Sequence, residues 1–153
     1  MLGGLSPLGH YEPETFQKVF DINVTVNWRL IRSLDPLLRA SDAGRAIFMS
    51  SGAAHAARPF WGPYSASKAA LEVLARTYAG ECDKTNIRVV IVDPGAMRTA
   101  MRAQAMPGED PETLPPPSEL APELVKLASP GMKENGVIYK FATKTFLTPQ
   151  MPA

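Results

Sequence analysis

A chain of 153 residues is one domain's worth, and its 45% hydrophobic and 20% charged content is that of a globular protein rather than a disordered one. A formal net charge of +1 leaves no electrostatic case for nucleic acid or an acidic membrane surface as partner. The single cysteine, Cys82, excludes an intramolecular disulfide and fits a reducing, cytoplasmic setting.

Met1 to Glu14 has no basic region followed by an apolar core, so it does not read as a signal peptide. No apolar run approaches the roughly 20 residues that span a bilayer. Residues 1–12 read as a loop, broken by Gly3, Gly4, Pro7 and Gly9. Pro13 suits a first helical turn. From Glu14 to about Ala40 the apolar residues recur every three to four positions, which predicts a long amphipathic helix that Pro36 should kink or shorten. Arg45–Ser50 is a short apolar run suited to a strand buried on both faces. Residues 51–62 are a small-residue loop, and helical spacing returns over 63–83. Ile87–Val92 is the clearest strand, rich in β-branched residues and stopped by Asp93-Pro94-Gly95. Residues 96–117 read as a long, proline-interrupted connection without an apolar period, a pattern of lids and binding loops. Ser118 is placed to cap a short helix reaching about Ala128, Asn135-Gly136 precedes a last strand at 137–141, and residues 142–153 read as a tail. Helix and strand alternate throughout. The expectation is an α/β fold, a Rossmann-like doubly wound parallel sheet with about three strands and flanking helices.

Tyr64 and Lys68 stand four residues apart on a predicted helix, hence on one face. A phenol ionises at about 10, too high for proton transfer at neutral pH, and a neighbouring ammonium lowers that value. Alone, the pair fits a solvated helix face about as well. Ser51 ends the first predicted strand, thirteen residues before Tyr64. Ligands of open α/β sheets bind beyond the carboxyl ends of strands, where a serine hydroxyl can meet a substrate oxygen or simply bond loop backbone. Pro94, Gly95, Met97 and Thr99 follow the next strand at the same edge, in a segment that also suits an ordinary turn. Asn23 interrupts an apolar helix stripe, so it either caps a helix break or holds a functional water.

In order and spacing, these residues resemble the classical short-chain dehydrogenases/reductases. The resemblance rests on Gly62-Pro63-Tyr64-Ser65-Ala66-Ser67-Lys68-Ala69-Ala70, on Ser51, on Asn23 within Asp21-Ile22-Asn23-Val24, and on Pro94-Gly95 with Thr99, and it covers about residues 1–141. It implies hydride transfer between NAD or NADP and a small-molecule carbonyl or alcohol. Tyr64 would be the general acid in reduction and the base in oxidation. Lys68 would lower the Tyr64 pKa and bond the nicotinamide ribose. Ser51 would hold the substrate oxygen, and Asn23 a water in a proton relay reaching Lys68. Pro94, Gly95, Met97 and Thr99 would contact the nicotinamide end of the cofactor. Family members commonly pair the two long helices, here 14–40 and 63–83, so a homo-oligomer is expected.

No glycine-rich turn follows a strand in this sequence, and the residue that selects NAD or NADP is missing with it. The chain therefore reads as the catalytic portion of such an enzyme, a partial domain over 1–141, either a fragment or a gene begun at an internal methionine. Its strand at 45–50 would be an exposed edge. The rival reading is a non-catalytic chain unable to bind cofactor. A hydrolase using Ser51 is a weaker rival, because Ser50-Ser51-Gly52 is no nucleophile elbow. His10 and His55 stand apart with no cysteine or carboxylate cluster, so no metal site is expected. Phe60 and Trp61 are candidates for the pocket wall or for packing. Met97, Met101 and Met106 suit an adaptable lid. Arg98 and Arg102 would meet either solvent or an anionic substrate.

Overall fold

The strand at Arg88–Asp93 organises the molecule. Its side chains alternate between two apolar layers, which is why it reads as an unbroken hydrophobic run. In the computed structural model, which describes residues 1–149, Val89 and Ile91 face one layer with Leu71, Ala75, Tyr78, Cys82 and Ile87. Val90 and Val92 face the other, with Met97, Leu120, Leu127, Met132 and Tyr139. The first layer carries the two long helices, and the second carries the segment that follows the strand.

The sheet has four strands in the order β1 (Arg45–Met49), β2 (Arg88–Asp93), β3 (Val137–Lys140) and β4 (Thr145–Leu147). β1, β2 and β3 are parallel, with Ile47 opposite Val90 and Ile91 opposite Ile138. β4 runs antiparallel to β3, Tyr139 facing Phe146. The first three strands are those expected. β4 lies in the stretch read as a tail, where Thr145-Phe146-Leu147 is too short to show an alternation. Residues 150–153 of that tail lie outside the described residues. β1 is an edge strand among the described residues, and Met49 at its end is 38% exposed.

The long first helix is two α-helices fused by a wider turn. α1 (Pro13–Phe20) passes through a π-helical turn at Asp21–Thr25 into α2 (Val26–Ala40). Such turns admit one extra residue and are frequent at functional sites. Pro36 lies inside α2 without ending it. Two carbonyl-free contacts brace that end of the helix: the Asp35 carboxylate accepts from Tyr78 Oη at 2.8 Å and from Arg39 Nε at 2.8 Å. A short helix, α3 (Ala53–Ala56), occupies the loop after β1, and α4 (Gly62–Glu81) runs one residue longer at its start than the spacing suggests. The proline-rich connection holds α5 (Ala100–Ala105), capped by Thr99 Oγ1, which accepts from Arg102 N at 3.1 Å. Ser118 falls in a 3-10 turn at Pro117–Glu119 and caps nothing; α6 (Ala121–Leu127) begins after it.

Two polar devices join the layers. Asn135 Oδ1 accepts from Val89 N at 2.9 Å while its Nδ2 donates to Ala79 O at 3.0 Å, so one side chain extends the β2–β3 ladder and ties it to α4. Gly136, at φ +69°, completes that turn and donates its N–H to Val89 O. Arg45 spreads its guanidinium over five carbonyls, those of Gly44, Asn86, Ser129, Pro130 and Met132, at 2.7–3.2 Å. That fork pins β1 to the segment preceding β3. An Arg45→Met chain is expected to lose about 2 kcal/mol or more of stability, because several carbonyls lose a charged donor together. Urea denaturation checks this, and a midpoint within error of the parent's would refute it.

Candidate active site

The carboxyl ends of β1 and β2 open onto one cavity of about 480 Å³. β1 delivers Met49, Ser50 and Ser51 to it, and β2 delivers Asp93 and Pro94. α4 adds Tyr64 and Lys68 from its first two turns. Gly95, Met97 and Thr99 close the wall after β2. Of the residues singled out from the sequence, Ser51, Tyr64, Lys68, Pro94, Gly95, Met97 and Thr99 all line this cavity, and Asn23 does not.

Tyr64 is 7% exposed and packs with Leu2, Ala53 and Ala105, while Trp61 meets its ring edge-on at a centroid distance of 5.9 Å. Burial raises the Tyr64 pKa above the ordinary phenol value, and the Ser51 hydroxyl beside it works in the opposite direction. The Lys68 ammonium lies 5.8 Å from the centre of the Tyr64 ring and donates to Met49 O at 2.8 Å. Burial lowers the Lys68 pKa, with the Glu72 carboxylate opposing. The phenol thus sits higher than the spacing alone suggests, because removal from water outweighs its favourable neighbours. An ammonium has three N–H groups, and Lys68 has one protein acceptor among the described residues.

Asn23 occupies the centre of the π-helical turn and is 3% exposed. Its Nδ2 donates to Met1 O and to Ser67 Oγ, each at 2.9 Å, and its Oδ1 accepts from the Met1 nitrogen at 2.7 Å. Ser67 Oγ in turn donates to Tyr64 O at 2.8 Å. Asn23 therefore fastens the first residues of the chain to the helix of Tyr64 and Lys68. Leu2, brought in by this tether, forms part of the cavity wall.

Some site residues carried no sequence signal. Asp93 read only as a strand stop, yet its Oδ1 accepts from Gly52 N and Gly95 N, both at 3.0 Å, joining the loops after β1 and β2. Arg58 lines the cavity from an irregular loop flanked by Ala57 and Phe60, both at positive φ. Trp61 forms part of the wall, whereas Phe60 is 56% exposed. Arg98 and Arg102 pair within the connection that follows β2, with Glu112 at 2.7 Å and Glu109 at 2.6 Å. Gly95, at φ +71°, has no heavy atom within 4 Å of the place a Cβ would take, so its backbone faces open space. The open space over Gly95, with the part-satisfied Lys68 ammonium and the buried phenol as donors, fits the nicotinamide ribose end of a dinucleotide. Among the described residues, no helix is long and apolar enough to cross a membrane.

Comparison with known proteins agrees with this architecture. An uncharacterized oxidoreductase, YciK of Escherichia coli K12, is 40% identical over 122 residues, which are 80% of this chain and 48% of that protein. A short chain dehydrogenase from Salmonella enterica serovar Typhi superposes with a TM-score of 0.88 at 34% identity, covering 92% of this chain and 58% of that one. One from Escherichia coli CFT073, complexed with NADPH, gives 0.87 at 35% identity, covering 92% and 59%. The chain thus spans about half to three-fifths of the length of these relatives. Residues 2–110 match the short chain dehydrogenase family, and the chain belongs to it.

Proposed function

We propose that this chain carries the catalytic portion of an oxidoreductase that moves a hydride between NAD(P)(H) and a carbonyl or alcohol, with Tyr64 as general acid and base. The observation that carries the reading is the convergence of Tyr64, Ser51 and Lys68 on one cavity at the carboxyl ends of β1 and β2. In reduction, the Tyr64 phenol, held in its neutral form by burial, donates its proton to the substrate oxygen. The Ser51 hydroxyl holds that oxygen. In oxidation the phenolate takes the proton back. Lys68 has N–H groups to spare for ribose hydroxyls, and its charge favours the phenolate. Pro94, the Gly95 backbone, Met97 and the loop up to Thr99 form the wall for the nicotinamide. Thr99 Oγ1 acts there as a helix cap, so its share in that contact falls more to the backbone. The dinucleotide, when bound, supplies or accepts the hydride.

In this reading Asn23 works by position. Both its amide hydrogens have protein partners, so it holds the N-terminal segment beside Lys68 rather than directing a side chain to a relay water. The NADPH-bound relative makes NADP(H) the first cofactor to test. The decisive assay is oxidation of NADPH and NADH with a panel of aldehydes and ketones, by the protein expressed from its own gene with its native flanking sequence. Turnover that depends on Tyr64 supports the reading. Absence of both turnover and dinucleotide binding leaves the non-catalytic chain as the better account.

The same proposal extends to assembly. Val26, Leu30, Leu34 and Leu37 form an apolar stripe along α2, each between 44% and 68% exposed, and on α4 Val73 is 54% exposed. We expect these helices to pair with a second copy. Sedimentation should then show an oligomer that Leu30→Glu with Leu34→Glu dissociates. A parent chain that sediments as a monomer at every concentration would rule the pairing out.

A further inference from the structure

The proposed chemistry leaves two buried carboxylates unused, Glu123, which pairs with Tyr139 and Lys126 away from the cavity, and Glu72, which lies beside it. Glu72, on α4, is 3% exposed, and each of its carboxylate oxygens has a partner from the loop that carries Ser51. Ser50 Oγ donates to Oε1 at 2.5 Å, and His55 Nε2 lies 2.8 Å from Oε2. Ser50 precedes Ser51, and His55 sits on α3 just after it. The carboxylate therefore grips the Ser51 segment on both sides. It does so from the helix that bears Tyr64 two turns earlier and Lys68 one turn earlier.

Two neighbouring rungs result. Lys68 Nζ bonds Met49 O and Glu72 bonds Ser50 Oγ, so consecutive residues at the end of β1 are fastened to consecutive turns of α4. Between those rungs and His55, the Ser51 hydroxyl is left to accept from Ala53 N at 3.2 Å and to stand beside the Tyr64 phenol. Without the Glu72 grip, the strand end before Ser51 keeps its backbone bond from Ser50 N to Val92 O and the Lys68 bond at Met49, but from Ser51 onward the segment is left with its short-helix bonds and the Asp93 contact at Gly52.

We infer that Glu72 is a positioning residue, holding Ser51 in register with Tyr64 and standing as the counter-charge to Lys68. The inference rests on the proposed roles of those three residues, but it concerns contacts that exist without substrate. Tyr64, Arg58, Asp93 and Arg102 share the cavity with Lys68 and the Met1 amine lies near it, and none of them belongs to the Glu72 grip.

The test uses the chain without cofactor. Its lysines are reductively methylated with carbon-13 and titrated by NMR, with Lys68→Arg identifying the Lys68 signal. Amide hydrogen exchange reads residues 51–55 in parallel. Glu72→Gln should lower the Lys68 titration by about half a unit or more, since the charge goes while the hydrogen-bonding shape stays. It should keep the exchange rates of 51–55 near the parent's. Glu72→Ala should lower the Lys68 titration equally and also speed exchange over 51–55 by about tenfold. An unmoved Lys68 titration in Glu72→Gln overturns the inference, as does parental protection of 51–55 in a folded Glu72→Ala chain. If Glu72→Ala does not fold, the Lys68 titration of Glu72→Gln decides alone. Failure of the protein to turn over substrate would leave these readouts standing, so the two proposals fail separately.

Discussion

Tyr64→Phe is expected to reduce kcat/KM for carbonyl reduction by about 10²–10⁴-fold and to leave folding intact. The size follows from the chemistry. The substrate oxygen gains negative charge as hydride arrives, and the phenol is the proton donor that the cavity offers at that point. The neutrality in folding follows from packing. The Tyr64 ring contributes its contacts with Trp61, Leu2, Ala53 and Ala105 through carbon atoms that phenylalanine retains. The lost hydroxyl interacts with Ser51, itself partly exposed to the cavity, so no deeply buried acceptor is orphaned. Thermal melting and NADP(H) affinity should therefore track the parent while turnover collapses. A variant that keeps a tenth or more of the parental kcat/KM would remove Tyr64 from the chemistry. A variant that also melts early would show a structural rather than a chemical loss.

What the sequence revealed, and what it hid, divides along physical lines. The parallel strands were legible because burial on both faces leaves an unbroken apolar run, as in Val89–Val92. The candidate site residues stood out through a resemblance whose spacing spans several elements. Tyr64 and Lys68 are a local pair, but Ser51 and Gly95 gain meaning only when a sheet brings two strand ends together. The hidden parts lack periodicity. β4 is three residues long. α5 is six residues among prolines, and its cap, Thr99, read as a ligand contact. Glu72 carried no signal in the sequence, and Asp93 read only as a strand stop. Their partners Ser50, His55 and Gly52 are contributed by chain crossings that no window of sequence displays. Asn23 was legible as an anomaly, a polar residue in an apolar stripe, and the π-helical turn around it supplies the reason.

The alkaline side of the pH–rate profile should belong to Lys68. For reduction, Tyr64 must carry its proton and Lys68 its charge. Burial acts on the two in opposite directions, because it penalises whichever form is charged. It raises the Tyr64 phenol, so the proton is retained past the ordinary phenol range as pH rises. It lowers the Lys68 ammonium, so that charge is lost before the ordinary lysine range is reached. Reduction should then be level through neutral pH, and its falling limb is assigned to Lys68, the group whose functional form burial disfavours. Lys68→Arg separates the two assignments. A guanidinium stays charged across the accessible range, so the falling limb should move to higher pH. Its plateau should be lower than the parent's, since the planar fork does not reproduce the ammonium's bond to Met49 O. Lys68→Met should cost about 10²-fold or more at every pH, having neither charge nor donors for the ribose. The position of the limb is the readout, taken from kcat over the pH range in which the protein remains folded. If the limb stays where it is in Lys68→Arg, the group that limits reduction is Tyr64 itself, and Lys68 serves binding rather than proton transfer.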